Sequence, residues 1–379
     1  MRYVEFGKTG KRLSVVGFGG MRFDVGKNSK AKNAKLLLHA ASLGVNYFDT
    51  APGYCSDQSE DIFGIAWKDM PEGCFLGTKG SPTDIDTARG AREAVEKSLT
   101  RLGVEKIHFY YIWCLRKMEH YTLAMRPGGL YEGALRCKEE GLIDHILCST
   151  HQPGHEIRAI LSKNEFEGCL MGLNLLNFPY RWDGVLAAQE RGMGVLAMNP
   201  LAGGVIPQHE KELAFLASPG ETPTEAALRF NIACREIDVT LSGFSAKEEI
   251  DMACRIADEA KPMDPAGLDR IRSHLGKNMD EICTGCGYCW DCPQEIPIPS
   301  YMQYYNSKVM FSTTDEEMKQ GLAFQHAWGL LVGRKAEAGD CVECGRCEEA
   351  CTQHLPIIKR LKEIAAWEKS RRTPKGRAG

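Results

Sequence analysis

The sequence predicts an α/β fold, a (β/α)8 (TIM) barrel followed by a small α-helical domain built around cysteine. Two observations predict it. Eight apolar runs rich in β-branched and aromatic residues alternate with helix-periodic stretches over residues 1–275, as expected of buried parallel strands joined by crossover helices. Beyond them the alternation stops, and eight of the sixteen cysteines fall in two short runs, Cys283-x2-Cys286-x2-Cys289-x2-Cys292 and Cys341-x2-Cys344-x2-Cys347-x3-Cys351. The expected domains are residues 1–275 and 276–379, joined through the polar segment 273–278.

In chain order, Phe6-Gly7-Lys8-Thr9-Gly10-Lys11 implies a short hairpin ahead of the barrel. The expected strands are Val15–Gly19, Asn46–Asp49, Cys74–Thr78, Ile107–Ile112, His145–Ser149, Cys169–Leu173, Gly194–Met198 and Asp238–Ser242. Helical periodicity marks Lys32–Leu43, Asp84–Leu102 and Thr224–Cys234, the last opened by Thr222-Pro223-Thr224-Glu225, a helix-start pattern. The stretch between the cysteine runs is too long for a compact βαβ unit and reads as helix at Tyr301–Val309 and Asp315–Leu331. Pro293, Pro297 and Pro299 end the first cysteine loop, and Pro356 ends the second.

Three thiolates at x2 spacing can wrap one corner of a cubane cluster, while a fourth cysteine a few residues on suits a neighbouring cluster better. Crossed ligand sets are therefore expected for two [4Fe–4S] clusters: Cys283, Cys286 and Cys289 with Cys351, and Cys341, Cys344 and Cys347 with Cys292. A zinc ribbon would leave cysteines over in each run. A disulfide framework belongs to small secreted chains, and Met1–Phe6 carries no signal-like apolar segment.

With 379 residues, 43% of them hydrophobic, and a formal charge of −3, the chain has no bias toward nucleic acid. Its apolar runs are too short to span a bilayer, so the expected setting is the cytoplasm, without membrane contact.

The segment Asn46-Tyr47-Phe48-Asp49-Thr50-Ala51-Pro52-Gly53-Tyr54, followed by Ser59-Glu60 and Gly64, resembles the aldo-keto reductase signature. Gly77-Thr78-Lys79 resembles the family's third-strand lysine, and Arg101-Leu102-Gly103-Val104 the stretch before its fourth strand. The appended cysteine module resembles the helical ferredoxin-like domain of a bacterial subgroup. The resemblance implies Tyr54 as proton donor, Lys79 as the cation that lowers its pKa, and Asp49 as the lysine's partner. The family's fourth catalytic position, a histidine, falls on Trp113. An indole offers one N–H, no titration and more bulk, so an enone or a ring that stacks on it becomes a candidate substrate beside simple carbonyls.

The cofactor segments also depart from the family. The stretch that opens at Pro200 and runs through Leu201 and Gly203, and the stretch through Gly243, Phe244 and Ser245, can still present backbone N–H groups to a phosphate, Pro200 itself having none. The family's Glu-Asn falls near Met252-Ala253, and the sixth-strand glutamine is missing beside Asn174. Ser149 and Asn174, at the ends of strands five and six, count as further cofactor candidates, and His151 as a residue that could face substrate. Clusters move one electron at a time whereas a nicotinamide moves a hydride, so FMN stands beside NADP(H) as the barrel cofactor. The expected protein is an iron–sulfur oxidoreductase acting on a small carbonyl or enone, with a ferredoxin or flavodoxin as electron carrier. The basic tail after Lys369 could steer such a carrier. The alternative is an electron-transfer or docking subunit whose barrel has lost catalysis.

Overall fold

A computed structural model describes residues 1–116, 118–211, 213–263, 265–274, 281–283, 285–327, 331 and 336–371. The chain opens with an antiparallel hairpin, β1 (Tyr3–Glu5) and β2 (Arg12–Ser14). Among the described residues eight parallel strands then close a barrel. They are β3 (Val16–Gly19), β4 (Tyr47–Asp49), β5 (Phe75–Gly80), β6 (Ile107–Leu115), β7 (Ile143–Thr150), β8 (Gly168–Gly172), β9 (Gly194–Met198) and β10 (Val239–Gly243), with β10 closing onto β3.

The barrel interior is filled by inward-facing side chains, among them Tyr47 from β4, Phe109 and Tyr111 from β6, Leu147 from β7, Leu170 from β8 and Leu196 from β9. Phe6, carried in from the hairpin, plugs one end, with its ring edge-on to Phe109 at 5.4 Å. A Cβ at residue 194 would stand 2.2 Å from the Phe6 ring, so only glycine leaves room for the plug.

Crossover helices begin and end where local chemistry directs. Ser29 accepts a hydrogen bond from Lys32 N–H to start Lys30–Ser42, and Thr87 caps Ala88–Leu102, which Gly103 ends at φ 66°. Thr222 and Glu225 form a reciprocal capping box, with Pro223 in the first turn of Pro223–Ala233.

Contacts divide the chain into two units. Met1–Pro200 with Leu216–Leu268 forms one, and Leu201–Phe215 groups with Asp269–Gly379 in the other. The expected boundary at 275/276 and the tail from 372 onward lie outside the described residues. In the second unit the helices Ile298–Phe311, Asp315–Ala327 and Ile357–Arg371 enclose a core of Tyr301, Met302, Leu361, Ile364 and Trp367. Tyr305 stacks on Trp367 at 5.9 Å, and Tyr301 donates to Glu368 at 2.5 Å.

Candidate active site and metal centres

The four residues expected to carry the chemistry meet at the C-terminal ends of β4, β5 and β6. Asp49 ends β4 and pairs in register with Gly77, two residues before Lys79. Lys79 is buried, and its ammonium donates to the Asp49 carboxylate and to the Thr50 carbonyl, the latter at 2.7 Å. The same Nζ lies 5.1 Å from the centre of the Tyr54 ring. Trp113 meets that ring edge-to-face, with centroids 5.7 Å apart.

The loop bearing Tyr54 is held from below. Residues 55–57 all take positive φ, a costly run for side-chain-bearing residues. Asp57 secures it by accepting from Gly53 N–H at 2.9 Å and from Arg101 at 2.8 Å. Arg101 also reaches Asp61 and Glu60, and Glu60 accepts from Thr78 on β5 at 2.8 Å. Trp113 owes its aim to a bulge. Ile112 pairs with Cys148 and Leu115 with Thr150, so Trp113 and Cys114 together face Ser149 alone. Cys114 takes φ 60°, and its N–H donates to Ser149 Oγ at 2.9 Å.

Burial governs the proton affinities here. It raises the Asp49 carboxyl above its usual range, against the pull of Lys79, and it lowers Lys79 against the pull of Asp49. The expectation that Lys79 lowers the Tyr54 phenol is not met in this arrangement. Burial and then the Asp49 charge, with Cys114 and Cys55 adding to it, push Tyr54 well up, while the ammonium donates to Asp49 and Thr50 and lies over the ring's face. A phenol so held stays protonated at neutral pH and is suited to give a proton.

The expected cofactor positions are more dispersed. Ser149 is engaged by the bulge. Asn174 accepts from Leu176 and Asn177 N–H and donates to the Asn199 carbonyl at 3.2 Å, which shapes the turn after β8. Pro200 lies in the barrel unit, whereas Leu201 and Gly203 group with the other unit. Gly203 packs its carbonyl where a Cβ on Gly285 would come within 3.3 Å. Buried His151 gives its carbonyl to Arg181 at 2.7 Å.

After β10, Phe244 turns its ring inward against Phe18 at 5.2 Å. The N–H groups of Ser245 and Ala246 both donate to the Glu249 carboxylate, at 2.7 and 3.2 Å. Arg22 lies against Gly243, its Cγ 2.5 Å from where a Cβ would stand. Sequence reasoning missed Glu249 and Arg22. A glutamate three residues after Ala246, the residue that caps the helix, is a capping signal that could have pointed to the first; no local signal points to the second.

The eight cysteines of the two runs line two cavities. Cys283, Cys286, Cys289 and Cys351 surround one, and Cys292, Cys341, Cys344 and Cys347 the other. Gly287 and Gly345 at φ 82° and 78° curl each loop back on itself. Cys283 is pinned by Asn306, which accepts from its N–H and donates to its carbonyl, both at 2.8 Å. The first cavity is walled by buried Cys283, Cys289 and Cys351, whereas the second is lined by buried Cys347, half-buried Cys292 and Cys341, and exposed Cys344. Four convergent thiols per cavity are a donor set that suits iron–sulfur clusters.

The model of the aldo/keto reductase family matches residues 15–275. The chain belongs to the aldo-keto reductase family. A second match, to a 4Fe-4S dicluster domain, covers residues 282–356. Among relatives, this aldo-keto reductase is 28% identical to the uncharacterized oxidoreductase YqkF of Bacillus subtilis, over 74% of this chain and 98% of that one. It is 23% identical to L-galactose dehydrogenase of Arabidopsis thaliana, over 71% and 92%. Its fold resembles aldo-keto reductase AKR11C1 from Bacillus halodurans, with TM-score 0.60, 22% identity and coverage of 72% and 96%. An aldo-keto reductase from Klebsiella pneumoniae solved in complex with NADPH gives TM-score 0.59 at 18% identity, over 72% and 95%. This aldo-keto reductase is thus an oxidoreductase with an added 4Fe-4S domain, and among the described residues no helix is long and apolar enough to cross a membrane.

Proposed function

We propose that this aldo-keto reductase reduces a carbonyl or conjugated alkene of a small molecule by hydride transfer, with Tyr54 giving the proton. The reading rests above all on the meeting of Tyr54 with Lys79, Asp49 and Trp113 at one end of the barrel. Asp49 and the Thr50 carbonyl hold the ammonium beneath the phenol, and Tyr54 gives its proton to the oxygen or carbon that gains negative charge. Trp113 forms an apolar wall and favours a flat substrate.

FMN or NADP(H), when bound, supplies the hydride, and Arg22 with the N–H groups of Ser245 and Ala246 would hold its phosphate. The two cavities would hold two [4Fe–4S] clusters in the crossed sets, which carry single electrons and favour FMN as the partner in the barrel. Residues 1–275 would then be the reducing domain and 276–379 the electron-carrying domain, fed by a ferredoxin or flavodoxin in the cytoplasm.

The test is Tyr54→Phe, assayed on aldehydes, quinones and enones with NADPH or with dithionite-reduced carrier. The expected loss in kcat is about 10²–10⁴-fold with unchanged melting temperature. Undiminished turnover on every substrate would remove the tyrosine from the chemistry. A second expectation concerns Glu249, whose carboxylate occupies the N–H groups a phosphate needs. Glu249→Ala should tighten FMN or NADPH binding by about tenfold in titration calorimetry, an electrostatic gain of about 1.4 kcal/mol. Weaker or equal binding to both would place the phosphate elsewhere.

A further inference from the structure

We propose that Tyr47 and Tyr111 are a positioning pair that fixes the Asp49 carboxylate and, through it, the Lys79 ammonium beneath Tyr54. The proposal rests on the catalytic reading of Tyr54, Lys79 and Asp49 given above. Both phenols are fully buried in a core cluster otherwise built of leucines, Val239 and aromatic rings. Buried hydroxyls at such a level are costly unless they are hydrogen-bonded.

These two are bonded, and to each other. Tyr47 donates to Asp49 Oδ2 at 3.2 Å, and the Tyr47 and Tyr111 hydroxyls share a hydrogen bond. The two oxygens of Asp49 thus have different partners, Lys79 on Oδ1 and Tyr47 on Oδ2. A carboxylate held on both sides cannot rotate away from the ammonium. Lys79 Nζ in turn lies 5.1 Å from the Tyr54 ring centre and 5.4 Å from that of Tyr111, between two aromatic faces. The backbone leaves space for this arrangement at one position. A Cβ on Gly77 would stand 2.8 Å from the Tyr47 hydroxyl, 3.1 Å from the Tyr111 ring and 3.3 Å from Asp49 Oδ2.

The groups that bear on Asp49 come from every neighbouring element. They are Lys79 on β5, Tyr47 on its own strand, Tyr111 on β6, Tyr54 on the next loop, and Glu60, whose charge acts on Lys79. Loss of the Tyr47 hydroxyl removes a hydrogen bond that favours ionised Asp49, so the carboxyl becomes harder to ionise.

The test compares Tyr47→Phe, Tyr111→Phe and Tyr54→Phe in the full-length protein. Without any substrate, the Tyr47→Phe melting temperature should fall below wild type at about pH 8, and the gap should narrow toward about pH 5 as Asp49 takes a proton. A purely structural role would give the same gap at both. With a carbonyl probe that the wild type turns over, kcat should fall about tenfold with KM little changed. The acid limb of its pH profile should also move up by about half to one unit. Tyr111→Phe should shift both readouts in the same direction by less, and it decides the matter if Tyr47→Phe does not fold. A pH-independent melting gap, or a profile superimposable on wild type, would overturn the pair while leaving Tyr54 in place. Full turnover by Tyr54→Phe would overturn the catalytic reading and the pair with it.

Discussion

Lys79→Met should cost this enzyme both its turnover and a large part of its stability. Lys79 and Asp49 are each 2% exposed, so the variant leaves a carboxylate buried without its cation. Breaking a buried pair from one side costs about 3–5 kcal/mol. In a domain of this size that corresponds to a melting temperature lower by roughly 6–20 °C. The pH dependence follows from the direction of the Asp49 shift. Burial already raises its folded-state pKa, and loss of the ammonium raises it further. The folded state then binds a proton that the unfolded state does not, so stability recovers as pH falls through the raised pKa and is lowest above it. Calorimetry between about pH 5 and pH 8 reads this directly. A variant that melts like wild type at the upper end would mean that Asp49 does not carry its charge in the folded protein.

On the proposed two-cluster reading, Cys283→Ser should remove one cluster and leave the other. The expected result is a loss of about four of about eight irons per chain, with matching loss of acid-labile sulfide. Asn306 ties the Cys283 backbone to the helix Ile298–Phe311, so the C-terminal unit should also melt earlier. Pairs of substitutions test which thiols share a cluster. Cys292→Ser combined with Cys341→Ser should cost no more iron than either alone, because both line the same cavity. Cys292→Ser combined with Cys283→Ser, from different cavities, should strip both clusters. Equal iron loss in the two double variants would refute crossed ligation.

Much of the barrel was legible because its strands are buried on both faces and read as unbroken apolar runs. Gly194–Met198 has the expected bounds, and the other seven strands differ by a residue or two at most ends. β6 is the largest exception. It runs on to Leu115, past the expected end at Ile112, because a bulge carries it there. Bulges have no simple sequence period, so Ser149 could be read as a cofactor contact but not as the partner of a strained Cys114.

The helix start at Thr222 follows from short-range capping chemistry that the sequence displays, whereas the helices expected from Lys32 and from Asp84 begin at Lys30, after Ser29, and at Ala88, after Thr87, because hydrophobic periodicity locates a helix but not its cap. The sequence marks Tyr47 and Tyr111 as strand residues, Tyr47 also within the family-like signature, but not as partners, since a hydrogen bond between β4 and β6 depends on barrel geometry. The proton affinity of Tyr54 was misjudged for a related reason. Sequence shows that a lysine is near, but not that a carboxylate and a carbonyl already hold its ammonium.

The bulge in β6 also bears on how the site could be redesigned. Residue 113 presents its side chain toward Tyr54 without contributing to the bulge's hydrogen bond, so a library at that position would sample new substrate walls on an intact backbone. Residues 114 and 149 are the frame of that window. Cys114 needs a side chain that tolerates positive φ, which disfavours valine, isoleucine and threonine, and residue 149 must offer an acceptor to its N–H. Varying all three together would mostly collect misfolded variants, whereas varying 113 alone keeps the screen on specificity.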